Sequence, residues 1–70
     1  MRIRLSDAAL VEALIEAFAA ADCRCERVAA DVCEVFHPAA SDESEERTEL
    51  VFFLRAWEQQ QRPGVQATLA

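Results

Sequence analysis

The sequence predicts an α+β fold, a two-layer sandwich in which two helices cover one face of a four-stranded antiparallel sheet. The predicted element order is β-α-β-β-α-β. Segments with alternating apolar and polar residues, typical of half-buried strands, occur at both ends of the chain and in its middle. The two segments between them carry apolar residues at helical spacing. With 70 residues, the chain has room for one domain, which we assign to residues 1–70.

The first strand and the first helix have clear patterns. Residues 1–6 alternate between polar and apolar side chains, which is the period of a half-buried strand. Ser6 or Asp7 can cap the helix that follows. Residues 8–21 show the clearest helical pattern of the chain, with acidic residues behind an apolar stripe. The stripe consists of Leu10, Val11, Leu14, Ile15 and Phe18.

Residues 23–37 predict a β-hairpin. With a loop at Ala29–Asp31, Val28 lies opposite Val32. One face of these strands then carries Cys23, Cys25, Cys33 and Val35, which are small or apolar. A shift of one residue in the register would exchange the two faces of the hairpin.

The second half of the chain predicts a helix and a last strand. Ser41 or Asp42 begins the helix, and Asp42 and Glu45 have the spacing of a capping box. Acidic residues crowd its first two turns, where the helix dipole favours them. Its buried stripe consists of Leu50, Phe53, Leu54 and Trp57. A Pro-Gly pair ends the helix, and the alternation of residues 65–69 predicts the strand.

The order β-α-β-β-α-β resembles the ferredoxin-like fold of copper chaperones, amino-acid-sensing ACT domains and RNA-recognition domains. The resemblance covers the whole chain but consists of topology alone, which does not transfer function. Copper chaperones carry Cys-x-x-Cys after the first strand, where this chain has Ser6-Asp7-Ala8. ACT-like regulators usually place a glycine near that turn, whereas the single glycine here is Gly64. RNA-recognition domains stack bases on aromatic residues of the central strands, and the third strand here offers only Phe36.

Composition and charge exclude several classes of partner. Thirteen acidic residues against seven arginines give a net charge of −6. Such a chain repels phosphate backbones and anionic lipids, so we expect neither nucleic acid nor a membrane as partner. No apolar run approaches the roughly 20 residues that span a bilayer, and the N-terminal segment lacks the pattern of a signal peptide. The odd number of cysteines argues against a secreted disulfide scaffold, and we expect a cytoplasmic protein.

Four residues, Cys23, Cys25, Cys33 and His37, are of types that bind zinc or copper. Cys33 and His37 are four residues apart on one predicted strand, or about 13 Å, which one metal ion cannot span. Cys23, Cys25 and His37 could still converge at one end of the hairpin, which would make the chain a small-ligand or metal-binding regulator. Packing in the core explains unpaired cysteines more simply, and we expect no metal or cofactor.

The sequence lacks the patterns typical of catalysis. His37 has no evident partner, and there is no nucleophile motif, phosphate-binding loop or metal signature. The sequence therefore predicts a non-enzymatic protein.

Two exposed surfaces indicate protein association instead. Phe52 lies about 160° around the second helix from its buried stripe, among polar residues. The face of the sheet away from the helices, here called the outer sheet face, is predicted to carry Arg2, Arg4, Arg24, Glu26, Val32, Glu34 and Phe36. Charges of both signs beside apolar side chains can pair across a two-fold axis. We therefore predict an accessory domain that binds a protein partner, with a second copy of the chain as the simplest one. The candidate interaction residues are Arg2, Arg4, Val32, Glu34, Phe36 and Phe52.

Overall fold

A computed structural model describes all 70 residues and shows an α+β fold with one four-stranded antiparallel sheet and two α-helices. The strands are β1 (Arg2–Leu5), β2 (Arg24–Ala29), β3 (Val32–Phe36) and β4 (Ala67–Leu69). The helices are α1 (Val11–Ala20) and α2 (Glu43–Gln59). The strands lie in the order β2-β3-β1-β4, so β2 and β4 form the two edges of the sheet.

The central strand β1 has the predicted alternation. Ile3 and Leu5 are buried, whereas Arg2 and Arg4 are exposed. β1 pairs with β3 on one side and with β4 on the other, and both pairings are antiparallel. Ile3 consequently lies between residues of both neighbouring strands, and the core is continuous across the sheet.

The turn of the β2–β3 hairpin differs from the prediction. We expected a loop at Ala29–Asp31 with Val28 opposite Val32. In the structure Ala29 lies opposite Val32, and residues 30–31 alone form the turn. The extra residue on β2 is a β-bulge, which lets the commonest hairpin connection, one of two residues, join these strands. On the N-terminal side of the bulge the register is the predicted one. Its pairs include Cys25 with Val35 and Arg27 with Cys33.

Side-chain caps begin the helical segments. A 3₁₀ turn, Ala8–Leu10, precedes α1, and the Asp7 carboxylate accepts a hydrogen bond from the Ala9 N–H at 3.0 Å. Asp42 precedes α2, and its carboxylate accepts from the Glu45 N–H at 2.8 Å. Each cap satisfies an N–H group that has no partner inside the helix.

The hydrophobic core joins the helices to one set of alternating strand side chains. Its members are Ile3, Leu5, Val11, Leu14, Phe18, Cys33, Val35, Leu50, Leu54, Trp57 and Ala67. Both helical stripes pack into or against the core as predicted, but three of their members, Leu10, Ile15 and Phe53, are only partly buried. The Phe53 ring lies 4.7 Å from that of Phe18, measured between centroids. Leu69 is half-buried at the end of the short strand β4.

Val32 is the one candidate interaction residue whose predicted exposure was wrong, because only 5% of it is exposed. Strand alternation gives it the same orientation as the exposed Phe36, but pairing on both sides shields it. Arg4 lies opposite Val32 on β1, and Ala29 lies opposite it on β2. Arg4 also reaches Asp31, with 3.6 Å between Nε and Oδ2, which brings its aliphatic part alongside Val32.

Candidate functional site

The outer sheet face carries two ion pairs. Arg2 lies opposite Glu34 in the β1–β3 register, with 3.8 Å between the Arg2 Nε and the Glu34 Oε2. Arg4 pairs with Asp31 beside the turn of the hairpin. These predicted surface residues are therefore already partnered within the chain. Exposed pairs of this kind contribute little to stability, about 0–1 kcal/mol each.

Phe36 and Arg24 lie at the opposite end of the same face. Phe36 is 46% exposed, as its position in the strand predicts. It lies opposite Arg24, which forms no ion pair within the chain. An aromatic ring beside a free guanidinium group is typical of residues that dominate protein interfaces.

Glu26 is the second charge of β2 without an ion pair. It lies directly opposite Glu34 on β3, so two carboxylates of the same sign are cross-strand neighbours. Like charges in this position destabilise a sheet. Arg2 pairs with Glu34 alone, so Glu26 has no ion-pair partner within the chain.

Phe52 lies on α2 and forms a separate surface. It is 79% exposed, which confirms the exposure predicted from its position on the helix. Together with Val51 it lines a shallow depression whose other walls come from Arg47, Thr48 and Arg55. The six candidate interaction residues therefore do not form one patch, because five lie on strands and Phe52 lies on a helix.

The three cysteines are free thiols packed in or beside the core. Cys33 is fully buried, and its contact with Cys25 raises the pKa of the Cys25 thiol, with burial as the second cause. Burial is also the main reason that the pKa of Cys23 is raised, and the charge of Asp22 adds to it. A raised pKa disfavours the thiolate, which is the form that attacks electrophiles and binds metals.

His37 has partners that sequence reasoning missed. Its Nε2 contacts the carboxylate of Glu49, and its backbone N–H donates to the Glu46 carboxylate at 2.9 Å. Glu46 and Glu49 are one helical turn apart at the start of α2, a spacing visible in the sequence, but only the packing shows which strand end they approach. No group of three or more His, Cys, Asp or Glu side chains is placed to hold a metal ion. Cys23, Cys25 and His37 therefore do not form the ligand set considered from the sequence.

The two edge strands of the sheet differ in whether side chains contact their outward backbone groups. On β4 the Ala67 N–H donates to the Glu58 carboxylate at 2.6 Å, and the Ala67 carbonyl accepts from Arg55 at 2.7 Å. Side chains of α2 thus occupy the outward backbone groups of Ala67 at that edge. On β2 five of the six residues are exposed and the sixth, Cys25, is half-buried. A depression of about 310 Å³ opens beside β2, lined by Ala19, Cys23, Arg24, Cys25, Glu26 and Phe36.

Comparison with known proteins gives no relative for this arrangement. No protein-family model, no curated protein and no solved structure matches the chain significantly. Neither helix combines the length and the apolar composition needed to cross a bilayer.

Proposed function

We propose that this chain is a non-enzymatic accessory domain that acts by protein association, and that it self-associates as a homodimer. The proposal includes a ferredoxin-like layering, in which both helices cover one face of the sheet and the outer sheet face is left free. The strand order, with β1 and β3 in the centre, supports this layering. So does the alternation of buried and exposed residues along β1.

The exposure of Phe36 on the outer sheet face is the observation that carries the proposal. The ring is nearly half exposed and lies opposite Arg24, a cation without a partner. Aromatic and arginine side chains are enriched at protein interfaces relative to the rest of the surface. A 70-residue domain with 13 buried residues also gains stability by burying more apolar surface through association.

The surface around Phe52 is the competing interface. It combines the most exposed large apolar side chain of the chain with Arg47 and Arg55. Arg55 is already engaged by Glu58 and by the Ala67 carbonyl, so less of this surface is free to bind a partner. We therefore favour the sheet.

A small-ligand or metal-binding regulator at Cys23, Cys25 and His37 gains no support from the geometry. The Glu49 carboxylate occupies the Nε2 atom of His37. Burial raises the pKa of Cys23, and contact with Cys33 together with burial raises that of Cys25, so neither thiol is activated in the structure.

Sedimentation velocity from low to high micromolar concentration tests the proposed self-association. We expect the wild type to change from a monomer to a dimer across this range. A wild type that sediments as a monomer at every concentration would overturn the proposed homodimer.

Two matched variants then locate the interface. Phe36→Glu and Phe52→Glu introduce the same charge at exposed aromatic positions, one on the sheet and one on a helix. We expect Phe36→Glu to weaken the dimer and Phe52→Glu to leave it unchanged, with the circular dichroism spectrum of the folded chain retained in both. The reverse result would assign the interface to α2.

A further inference from the structure

The hydrogen bonds of β3 show which backbone groups of β2 point outward. The Val35 N–H donates to the Met1 carbonyl at 2.9 Å, and the Val35 carbonyl accepts from the Met1 amino group at 3.0 Å. Val35 therefore directs its backbone groups toward β1. Cys25, which lies opposite Val35, belongs to a non-hydrogen-bonded pair of the β2–β3 ladder. The N–H and C=O groups of Cys25 consequently point away from β3, and by alternation so do those of Arg27.

These outward groups make β2 an unpaired edge that can accept another strand. Chains usually protect such edges with charged residues and bulges. β2 has both features, but its bulge lies after Arg27 and leaves the pairing of residues 24–27 regular. At the opposite edge Arg55 and Glu58 occupy the outward backbone groups of Ala67, in a strand of only three residues. β2 is therefore the longer and more open edge for an added strand.

We propose that a second copy of the chain pairs with this edge, so that two β2 strands join antiparallel across a two-fold axis at Cys25. The dimer then contains one continuous eight-stranded sheet. This pairing rests on the proposed function, since it names the edge through which the homodimer forms.

The order of charges on β2 selects the position of the axis. Antiparallel partners project to the same face of a sheet, so a symmetric pairing centres on a residue and not between two. An axis at Arg24 or Arg27 places two guanidinium groups opposite each other, and an axis at Glu26 places two carboxylates opposite each other. With the axis at Cys25, Arg24 lies opposite the partner's Glu26, and Glu26 lies opposite the partner's Arg24.

The same register satisfies most of the outward backbone groups. Cys25 exchanges both of its hydrogen bonds with the partner's Cys25, and the Arg27 N–H donates to the partner's Cys23 carbonyl. The Cys23 N–H stays bonded to the Phe18 carbonyl, 2.9 Å away, so the partner's Arg27 carbonyl gains no strand partner and remains open to water. Arg24 and the partner's Glu26 then form a non-hydrogen-bonded pair, in which opposing side chains are closer than in the alternate pairs.

The pairing also places an additional cation beside the two neighbouring carboxylates of the outer sheet face. Glu26 lies opposite Glu34, and Arg2 forms an ion pair only with Glu34. In the dimer the partner's Arg24 lies opposite Glu26, so each of the two carboxylates has a cation beside it. Strand hydrogen bonds hold the two copies together, and the charges set the register, since exposed ion pairs contribute more to specificity than to affinity.

A charge-reversal cycle tests the register, with dimer dissociation constants measured by sedimentation equilibrium. Arg24→Glu places a carboxylate opposite the partner's Glu26, and Glu26→Arg places two guanidinium groups together. We expect each single variant to weaken the dimer roughly tenfold or more, and the double variant to return within about threefold of the wild type. Arg47→Glu is the matched control, because it changes the net charge equally on α2, far from β2 in the sequence, at an arginine without an ion pair.

The outcomes separate this inference from the proposed function. A wild type that stays monomeric would overturn both. A wild-type dimer that Arg24→Glu and Arg47→Glu weaken equally, or that the double variant fails to restore, would overturn the β2 pairing and leave self-association in place. A dimer that only Phe52→Glu disrupts would also overturn the β2 pairing, and it would assign the contact to α2. Circular dichroism and the unfolding temperature of each variant show whether the monomer remains folded.

Discussion

Glu26 on β2 lies directly opposite Glu34 on β3, so two carboxylates are cross-strand neighbours on the outer sheet face. Arg2, 3.8 Å from Glu34, is the one cation paired with either of them. Arg24, two residues before Glu26 on the same face, is unpaired. Within one chain the placement of Glu26 directly opposite Glu34 is electrostatically unfavourable. Across the proposed two-fold axis Glu26 lies opposite the partner's Arg24, so the charges become complementary. The local imbalance of charge in one chain therefore favours association of two.

Leu14→Ala should destabilise the domain by about 2–5 kcal/mol, because it removes a fully buried side chain from the centre of the core. Urea unfolding gives this free energy. Leu10→Ala is the control: Leu10 is only partly buried, so we expect a clearly smaller loss. Equal losses for the two variants would mean that the face of α1 assigned to the core is wrong.

Glu58→Ala should open the β4 edge. Glu58 accepts from the Ala67 N–H at 2.6 Å and also contacts Arg55, so its removal should lower stability by about 1–3 kcal/mol. Exchange of the Ala67 amide hydrogen should become faster. Glu16→Ala removes an exposed helical carboxylate that has no ion pair, and it should change neither quantity. A Glu58→Ala variant that behaves like Glu16→Ala would show that the edge is not closed by this side chain.

Asp7 should make stability fall at acid pH. Hydrogen bonds from Arg62 and from the Ala9 N–H lower the pKa of the Asp7 carboxyl from its ordinary value of 3.8. The folded state therefore favours the carboxylate, and this contribution is present above pH 3.8 and is lost as pH falls through the lowered pKa.

Asp7→Asn should accordingly be less stable than the wild type at pH 7, with the difference shrinking at about pH 2–3. Urea unfolding at both pH values measures it. Asp22→Asn replaces a carboxylate that has no ion pair, and it should show a smaller dependence on pH. A difference between wild type and Asp7→Asn that stays constant with pH would contradict the assignment.

Zinc and a chelator should leave the unfolding temperature unchanged. A ligand that binds only the folded state must raise this temperature, and no set of three potential metal ligands converges in the structure. Differential scanning fluorimetry with zinc or with a chelator measures the effect. A zinc-dependent rise of several degrees that is lost in Cys23→Ser would instead support the metal-binding regulator.

The elements of this fold follow from periodicity, which is local information. The burial of Leu14 and Leu54, and the exposure of Phe52, depend only on the side of a helix on which a residue lies. The alternation of Arg2 and Ile3 is equally local. Such features could be predicted from the sequence because each element must bury its own apolar face.

The remaining features depend on how elements pack against one another. The bulge arises from the way the hairpin closes over residues 30–31, which contain no glycine to mark the turn. The burial of Val32 requires neighbours on both sides. The contact of His37 with Glu49 joins the end of a strand to a helix, and no short-range pattern predicts where that helix will lie.

Amide hydrogen exchange of Cys25 tests the association through β2 most directly. In the monomer its N–H points outward from the edge strand, whereas in the dimer it donates to the partner's Cys25. We predict that its exchange slows as concentration rises, in parallel with the dimer fraction measured by sedimentation. The Glu26 N–H, which is bonded within the hairpin, serves as the internal control and should not respond. Exchange of Cys25 that stays independent of concentration while the chain dimerises would contradict the proposed pairing.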